Sequence, residues 1–90
     1  MAVKMHLHLA LQKFTGGKKV VDVQGKTVGE CVGVIIEMFP ALEPVLFDSD
    51  GKIKSYMGIY VNLQSSYPKE MDMPVKDGDE IHLNMIFIGG

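Results

Sequence analysis

Glu80-Ile81-His82-Leu83-Asn84-Met85-Ile86-Phe87-Ile88-Gly89-Gly90 is the stretch whose reading decides the fold. Ile81, Leu83, Met85 and Phe87 alternate with His82, Asn84, Ile86 and Ile88, the period of two that puts alternate side chains on opposite faces of a strand. A strand is therefore expected from Glu80 to Ile88, with its odd positions in a core and the two glycines beginning where the ordered domain ends. The start of the chain carries the same pattern. Val3, Met5, Leu7, Leu9 and Leu11 are apolar, whereas Lys4, His6 and His8 take even positions, which predicts a half-buried strand over 3–11.

Thr15-Gly16-Gly17 reads as a turn and Lys19 to Val23 as a second strand, closing a hairpin that ends at Gly25. Thr27-Val28-Gly29-Glu30 is a capping box: the Thr27 hydroxyl can accept from the backbone N–H three residues on while Glu30 reaches back to the cap. The helix it opens carries Val28, Cys31, Val32, Ile35, Ile36 and Phe39 as one apolar stripe, and Pro40 ends it by disfavouring helical geometry at Phe39. Residues 41–47 form a connector with room for a helical turn, and Asp48-Ser49-Asp50-Gly51 is a polar turn. Met57 to Leu63 alternates as a third strand, 64–73 is irregular, and Lys76-Asp77-Gly78-Asp79 turns into the last strand. One helix can cover only one face of such a sheet. The expected class is α+β, a single domain over 1–90 in two layers, with the helix stripe against the odd residues of the first and last strands.

The 90 residues carry nine lysines and no arginine against eleven acidic residues, a net charge of -2, and 47% are hydrophobic. The lysines are scattered, so no basic face for nucleic acid is expected. No apolar run approaches the roughly 20 residues of a membrane span, and residues 1–4 do not resemble a secretion signal, which makes a cytoplasmic protein the default. Cys31 is the lone cysteine and lies on the helix stripe, where a thiol is expected to be inert packing. No Ser, His and Asp arrangement with nucleophile spacing occurs, so no catalysis by this chain alone is expected.

Two other clusters compete with ordinary structure. His6, His8 and His82 could meet on one sheet face and take zinc or nickel, but no carboxylate or Cys is seen to complete a site, so an exposed sheet face is the reading adopted and no metal is expected. Asp48-Ser49-Asp50-Gly51 lacks the further acidic ligands of a calcium loop and reads as a turn. The terminus is more informative. An extended Gly89-Gly90 has no Cβ and can enter a narrow active site of another protein, delivering the Gly90 carboxylate, which reacts only after activation. Ile86 and Ile88 fall on the face a single helix leaves open. With Phe87 beside them they are the expected surface that a partner buries to orient Gly90.

Phe14-Thr15-Gly16-Gly17, Gly25-Lys26-Thr27-Val28-Gly29-Glu30, Phe39-Pro40-Ala41-Leu42-Glu43, Ile59-Tyr60-Val61-Asn62, Lys76-Asp77-Gly78-Asp79-Glu80 and Gly89-Gly90 together resemble the MoaD/ThiS family of ubiquitin-like sulfur carriers. The resemblance spans nearly the whole chain and implies a β-grasp fold whose first and last strands lie parallel at the centre of a mixed sheet. It also implies that an adenylating enzyme related to ubiquitin-activating enzymes consumes ATP to activate Gly90. A sulfur donor then replaces AMP to leave a thiocarboxylate, and a sulfur-acceptor enzyme takes the sulfur onward in cofactor synthesis of the molybdopterin or thiamine type, or in cysteine biosynthesis. No permanently bound cofactor is implied. Met85-Ile86-Phe87-Ile88 stands where molybdopterin carriers typically have a Pro-Pro segment, and 44–62 looks more like the carriers of cysteine biosynthesis or the archaeal carriers that also modify lysines. Two other classes stay open: a protein modifier joined to target lysines through the same terminus, and a β-grasp interaction domain without covalent chemistry.

Overall fold

The computed structural model describes residues 2–67 and 69–86. Its elements are β1 (Ala2–Leu7), β2 (Val20–Gln24), α1 (Val28–Met38), α2 (Glu43–Leu46), β3 (Met57–Val61), β4 (Gln64–Ser65) and β5 (Glu80–Met85), with 3₁₀ turns at Leu9–Phe14, Pro40–Leu42 and Glu70–Asp72. The strands form one sheet in the order β2-β1-β5-β3-β4. β1 and β5 pair in parallel, with Met5 opposite Ile81 and Leu7 opposite Leu83, while the other neighbours are antiparallel. This is a β-grasp sheet, with the first and last strands adjacent and α1 lying across one face.

The register explains the core. Val3, Met5 and Leu7 of β1 and Ile81 and Leu83 of β5 are all buried, as are Val28, Cys31, Val32 and Ile35 of α1. Period two in the strands and spacings of three and four in the helix thus turn their apolar sides toward one another. Ile35 is fully buried, whereas Ile36 and Phe39 pack partly buried at the margin.

Local chemistry sets the ends of α1. The Thr27 hydroxyl accepts from Glu30 N at 3.1 Å, as the capping box requires. The Glu30 carboxylate accepts from Lys26 N at 2.9 Å, one residue before the cap rather than at it. Val28 N–H, free of any helical partner, donates to the Met73 carbonyl. Phe39 leaves helical geometry at φ -135°, ahead of Pro40.

Three sequence boundaries move. β1 ends at Leu7, not Leu11, because His8 Nδ1 accepts from Ala10 N at 3.0 Å and starts a 3₁₀ turn. Leu9 is then 76% exposed while Leu11 swings back into the core, so the alternation beyond Leu7 is a coincidence of two different geometries. β3 ends at Val61, since Asn62 and Leu63 both take positive φ in the two-residue turn to β4. β5 is described only to Met85, followed by Ile86; the expectation for Phe87 and Ile88 lies outside the described residues.

The turn before β5 holds the ends of the central strands together. Ala2 N donates to the Asp77 carboxylate, Gly78 N to the Ala2 carbonyl and Lys4 N to the Asp79 carbonyl. Asp79 is buried and accepts from the Asn62 side chain at 3.0 Å and from Lys76 N at 2.9 Å. The Asn62 amide, then the Lys76 backbone N–H, hold its carboxyl below the ordinary 3.8. A carboxylate lowered in this way stabilises the fold above its ordinary value and loses that contribution as pH falls through the lowered one. Urea midpoints followed from neutral pH into acid should therefore fall in wild type, and Asp79→Asn should flatten that acid limb. In the core, Leu83→Ala and Ile35→Ala should each cost about 2–5 kcal/mol in denaturant unfolding, and Ile36→Ala distinctly less.

Candidate functional site

The candidate site begins where β5 leaves the sheet. Pairing with β3 runs as far as Met57 opposite Met85, and then Ile86 N donates to the Tyr56 carbonyl at 2.6 Å. That bond fixes the backbone at the root of the terminal segment. Ile86 is 40% exposed and lies over Gly58 on the face away from α1. A Cβ on Gly58 would stand 2.8 Å from Ile86 Cδ1 and 3.0 Å from a Tyr60 ring carbon, so glycine is what lets Ile86 lie flat against β3. The alternation in Met57 to Val61 marks Gly58 as an open-face residue but carries no sign that it seats a neighbour. Of the predicted site residues, Ile86 is described; Phe87, Ile88, Gly89 and Gly90 lie outside the described residues.

The same open face carries the histidines. In-register parallel pairing sets His6 beside His82, and their rings stack with centroids 4.3 Å apart and planes 11° apart. Glu80 joins them, with its Oε1 2.5 Å from His6 Nε2. Two sequence readings are corrected here. His8 is not a member of the group, because β1 ends before it and its ring caps the 3₁₀ turn. A carboxylate does stand with the other two, since Glu80 is two residues before His82 and therefore on its face. Burial, then the charge of His6, holds His82 below the ordinary 6.5, with the Glu80 carboxylate acting in the opposite sense.

Elsewhere the bland readings stand. Cys31 is buried, and burial followed by the Glu30 charge pushes its thiol up, away from the reactive thiolate. Asp48 Oδ1 accepts from Asp50 N and Lys52 N at 2.8 and 3.0 Å, and Gly51 supplies the left-handed residue of that turn at φ 78°. A surface depression of about 820 Å³ beside it is lined by Glu43, Pro44, Phe47 and Lys54 among others, and no His or Cys contributes to it. Among the described residues no helix is long and apolar enough to cross a membrane.

This geometry is the ubiquitin-like β-grasp fold. No protein-family model matches the sequence, and no curated protein matches it. Solved structures do. The chain is similar to CysO in the Amycolatopsis orientalis BexX/CysO complex, at 27% identity over 99% of this chain and 100% of that one, with a TM-score of 0.87. It is also similar to CysO from Mycobacterium tuberculosis, described as an antigen, at 25% identity over 94% and 99%, with a TM-score of 0.86. SAMP1 from Haloferax volcanii shares the fold over the full length of both chains at 24% identity and a TM-score of 0.86. The structural neighbours are thus of the ubiquitin-like sulfur-carrier family, the one that the sequence resembles.

Gly58→Ala tests how Ile86 is seated. The new methyl should push the flexible end of Ile86 off β3, shifting its methyl resonances in NMR spectra, while the unfolding free energy changes by less than about 1 kcal/mol.

Proposed function

We propose that the chain is a covalent sulfur carrier of the cytoplasm, a substrate of its partners rather than an enzyme. In this reading the Gly90 carboxylate attacks the α-phosphorus of ATP in the active site of an adenylating enzyme, pyrophosphate leaves, and an acyl-adenylate forms. A hydrosulfide-equivalent donor then attacks the acyl carbon, the C–O bond to AMP breaks, and a thiocarboxylate remains. A sulfur-acceptor enzyme of cofactor or cysteine biosynthesis consumes it.

The observation that carries the reading is the full-length match to CysO at a TM-score of 0.87. The exit geometry supports it. Ile86 offers apolar area at the root of the segment that ends in Gly89-Gly90, and burying one such side chain contributes roughly 1.5–3 kcal/mol, whereas bare glycines offer little binding surface. Ile86 with Phe87 and Ile88 is accordingly assigned to partner binding, and Gly90 to activation. That CysO was solved in a complex with BexX supports a protein partner. The second reading, a modifier joined to lysines, is favoured by the equally full match to SAMP1, a small archaeal modifier protein. In that case a lysine amine takes the place of sulfur.

Intact-mass measurement on protein from its own cells separates these readings. The carrier reading expects a mass rise equal to one oxygen exchanged for sulfur at Gly90; isopeptide adducts on lysines favour the modifier, and neither species leaves a plain interaction domain. Removing Gly89 and Gly90 should leave thermal unfolding unchanged and abolish ATP–pyrophosphate exchange with the cognate adenylating enzyme. Ile86→Asp should weaken that exchange through KM while shifting stability by less than about 1 kcal/mol.

A further inference from the structure

The open face of the sheet holds a donor set that the carrier reading does not use. His6 on β1 and His82 on β5 are opposite one another in the parallel register, and Glu80 precedes His82 by two residues on the same face. One donor atom from each of the three lies within 4.8 Å of the other two. We propose that His6, Glu80 and His82 form a surface site for one divalent zinc ion, with the fourth coordination position open to solvent or to a partner's side chain.

The donor chemistry selects the ion. Two imidazole nitrogens and one carboxylate oxygen are the three-ligand set of zinc sites that keep a position open, whereas calcium and magnesium ask for oxygen donors alone. With metal–donor bonds of about 2.0–2.1 Å, two donors on a tetrahedral ion stand about 3.3 Å apart. To bind one ion the two rings must turn out of their near-parallel stack so that a lone pair of each meets at the same point, and side-chain exposure of 31% at His6 and 47% at Glu80 leaves room for that turn. All three residues sit on the two central strands, and Glu80 is held further by Asn62, whose Oδ1 accepts from Glu80 N at 3.0 Å and whose backbone N donates to the Glu80 carbonyl at 2.8 Å. The Glu80 carboxylate supplies the negative charge that a divalent ion needs.

The alternative is an ordinary cross-strand stack with a hydrogen bond from His6 to Glu80. Zinc sulfate titrated into the full-length protein, followed by calorimetry and thermal unfolding, distinguishes the two. The site predicts one ion per chain and a higher Tm with zinc. It predicts loss of both in His6→Ala and in His82→Ala, at least tenfold weaker binding in Glu80→Gln, and wild-type behaviour in His8→Ala. Cobalt substituted for zinc should give the intense visible absorption of a tetrahedral site. Imidazole NMR resonances in the unaltered protein provide a readout independent of variant folding: zinc should shift those of His6 and His82 and leave His8 in place. Zinc binding that survives His6→Ala and His82→Ala, or zinc shifts at His8 alone, overturns the proposal, as does the absence of any zinc-dependent shift at His6 and His82.

Discussion

The parallel pairing of β1 with β5 is the constraint on which the rest of the molecule depends. Two parallel strands cannot be joined by a tight turn, so everything between them must form a crossover that returns to the end of the sheet where β1 starts. The hairpin to β2, the helix α1 and the β3–β4 turn are that crossover, and the Lys76–Asp79 turn closes it by hydrogen bonding to Ala2 and Lys4. Because β1 and β5 take inner places in the sheet, Val3, Met5, Leu7, Ile81 and Leu83 are buried in the core they share with α1. Antiparallel neighbours on either side complete the ladder and leave short edges at β2 and β4.

The same constraint produces the second face. A single helix buries one side of the sheet, and register then dictates what stands on the other: His6 beside His82, Tyr60 across from His82, and Gly58 across from Asn84 with Ile86 laid over it. None of these positions is free to change places with a core residue, since a slip by one residue would exchange the two faces entirely. The open side is therefore as strictly specified as the buried one, although it contributes less to stability.

Residues 80–85 and 3–7 were legible because both are amphipathic at one unbroken period, and α1 because Thr27, Glu30 and Pro40 mark its ends with known backbone chemistry. The failures share a cause: they depend on tertiary partners. Leu9 and Leu11 continue the strand pattern, but the His8 side chain competes for the backbone and turns the chain. Asn62 leaves β3 because its amide reaches Asp79 and Glu80, eighteen residues away at the farther contact. Glu80 escaped notice as a partner of the histidines because its own strand begins with it, and only the offset of the β1–β5 register brings it to His6. Gly58 was legible as a strand residue and not as a seat for Ile86, since nothing in a lone glycine says which side chain will fill the space above it.

The exit of β5 joins the physical constraint to the chemistry. Up to Met85 the strand is held on its β3 side by the ladder, and the Ile86 N–H to Tyr56 carbonyl bond extends that hold by one residue beyond the assigned strand. Gly90 follows Ile86 by four residues, so covalent geometry keeps it within about 14 Å of that anchor. Any group that reacts at Gly90 must therefore be carried by a surface that comes close to Ile86. Ile86 is half-exposed on the face it lies on, within reach of such a surface. In the proposed carrier reading, recognition and reactivity are thereby separated. In that reading the folded face supplies area and orientation, while Gly89 and Gly90 bring no side chain to obstruct a narrow active site.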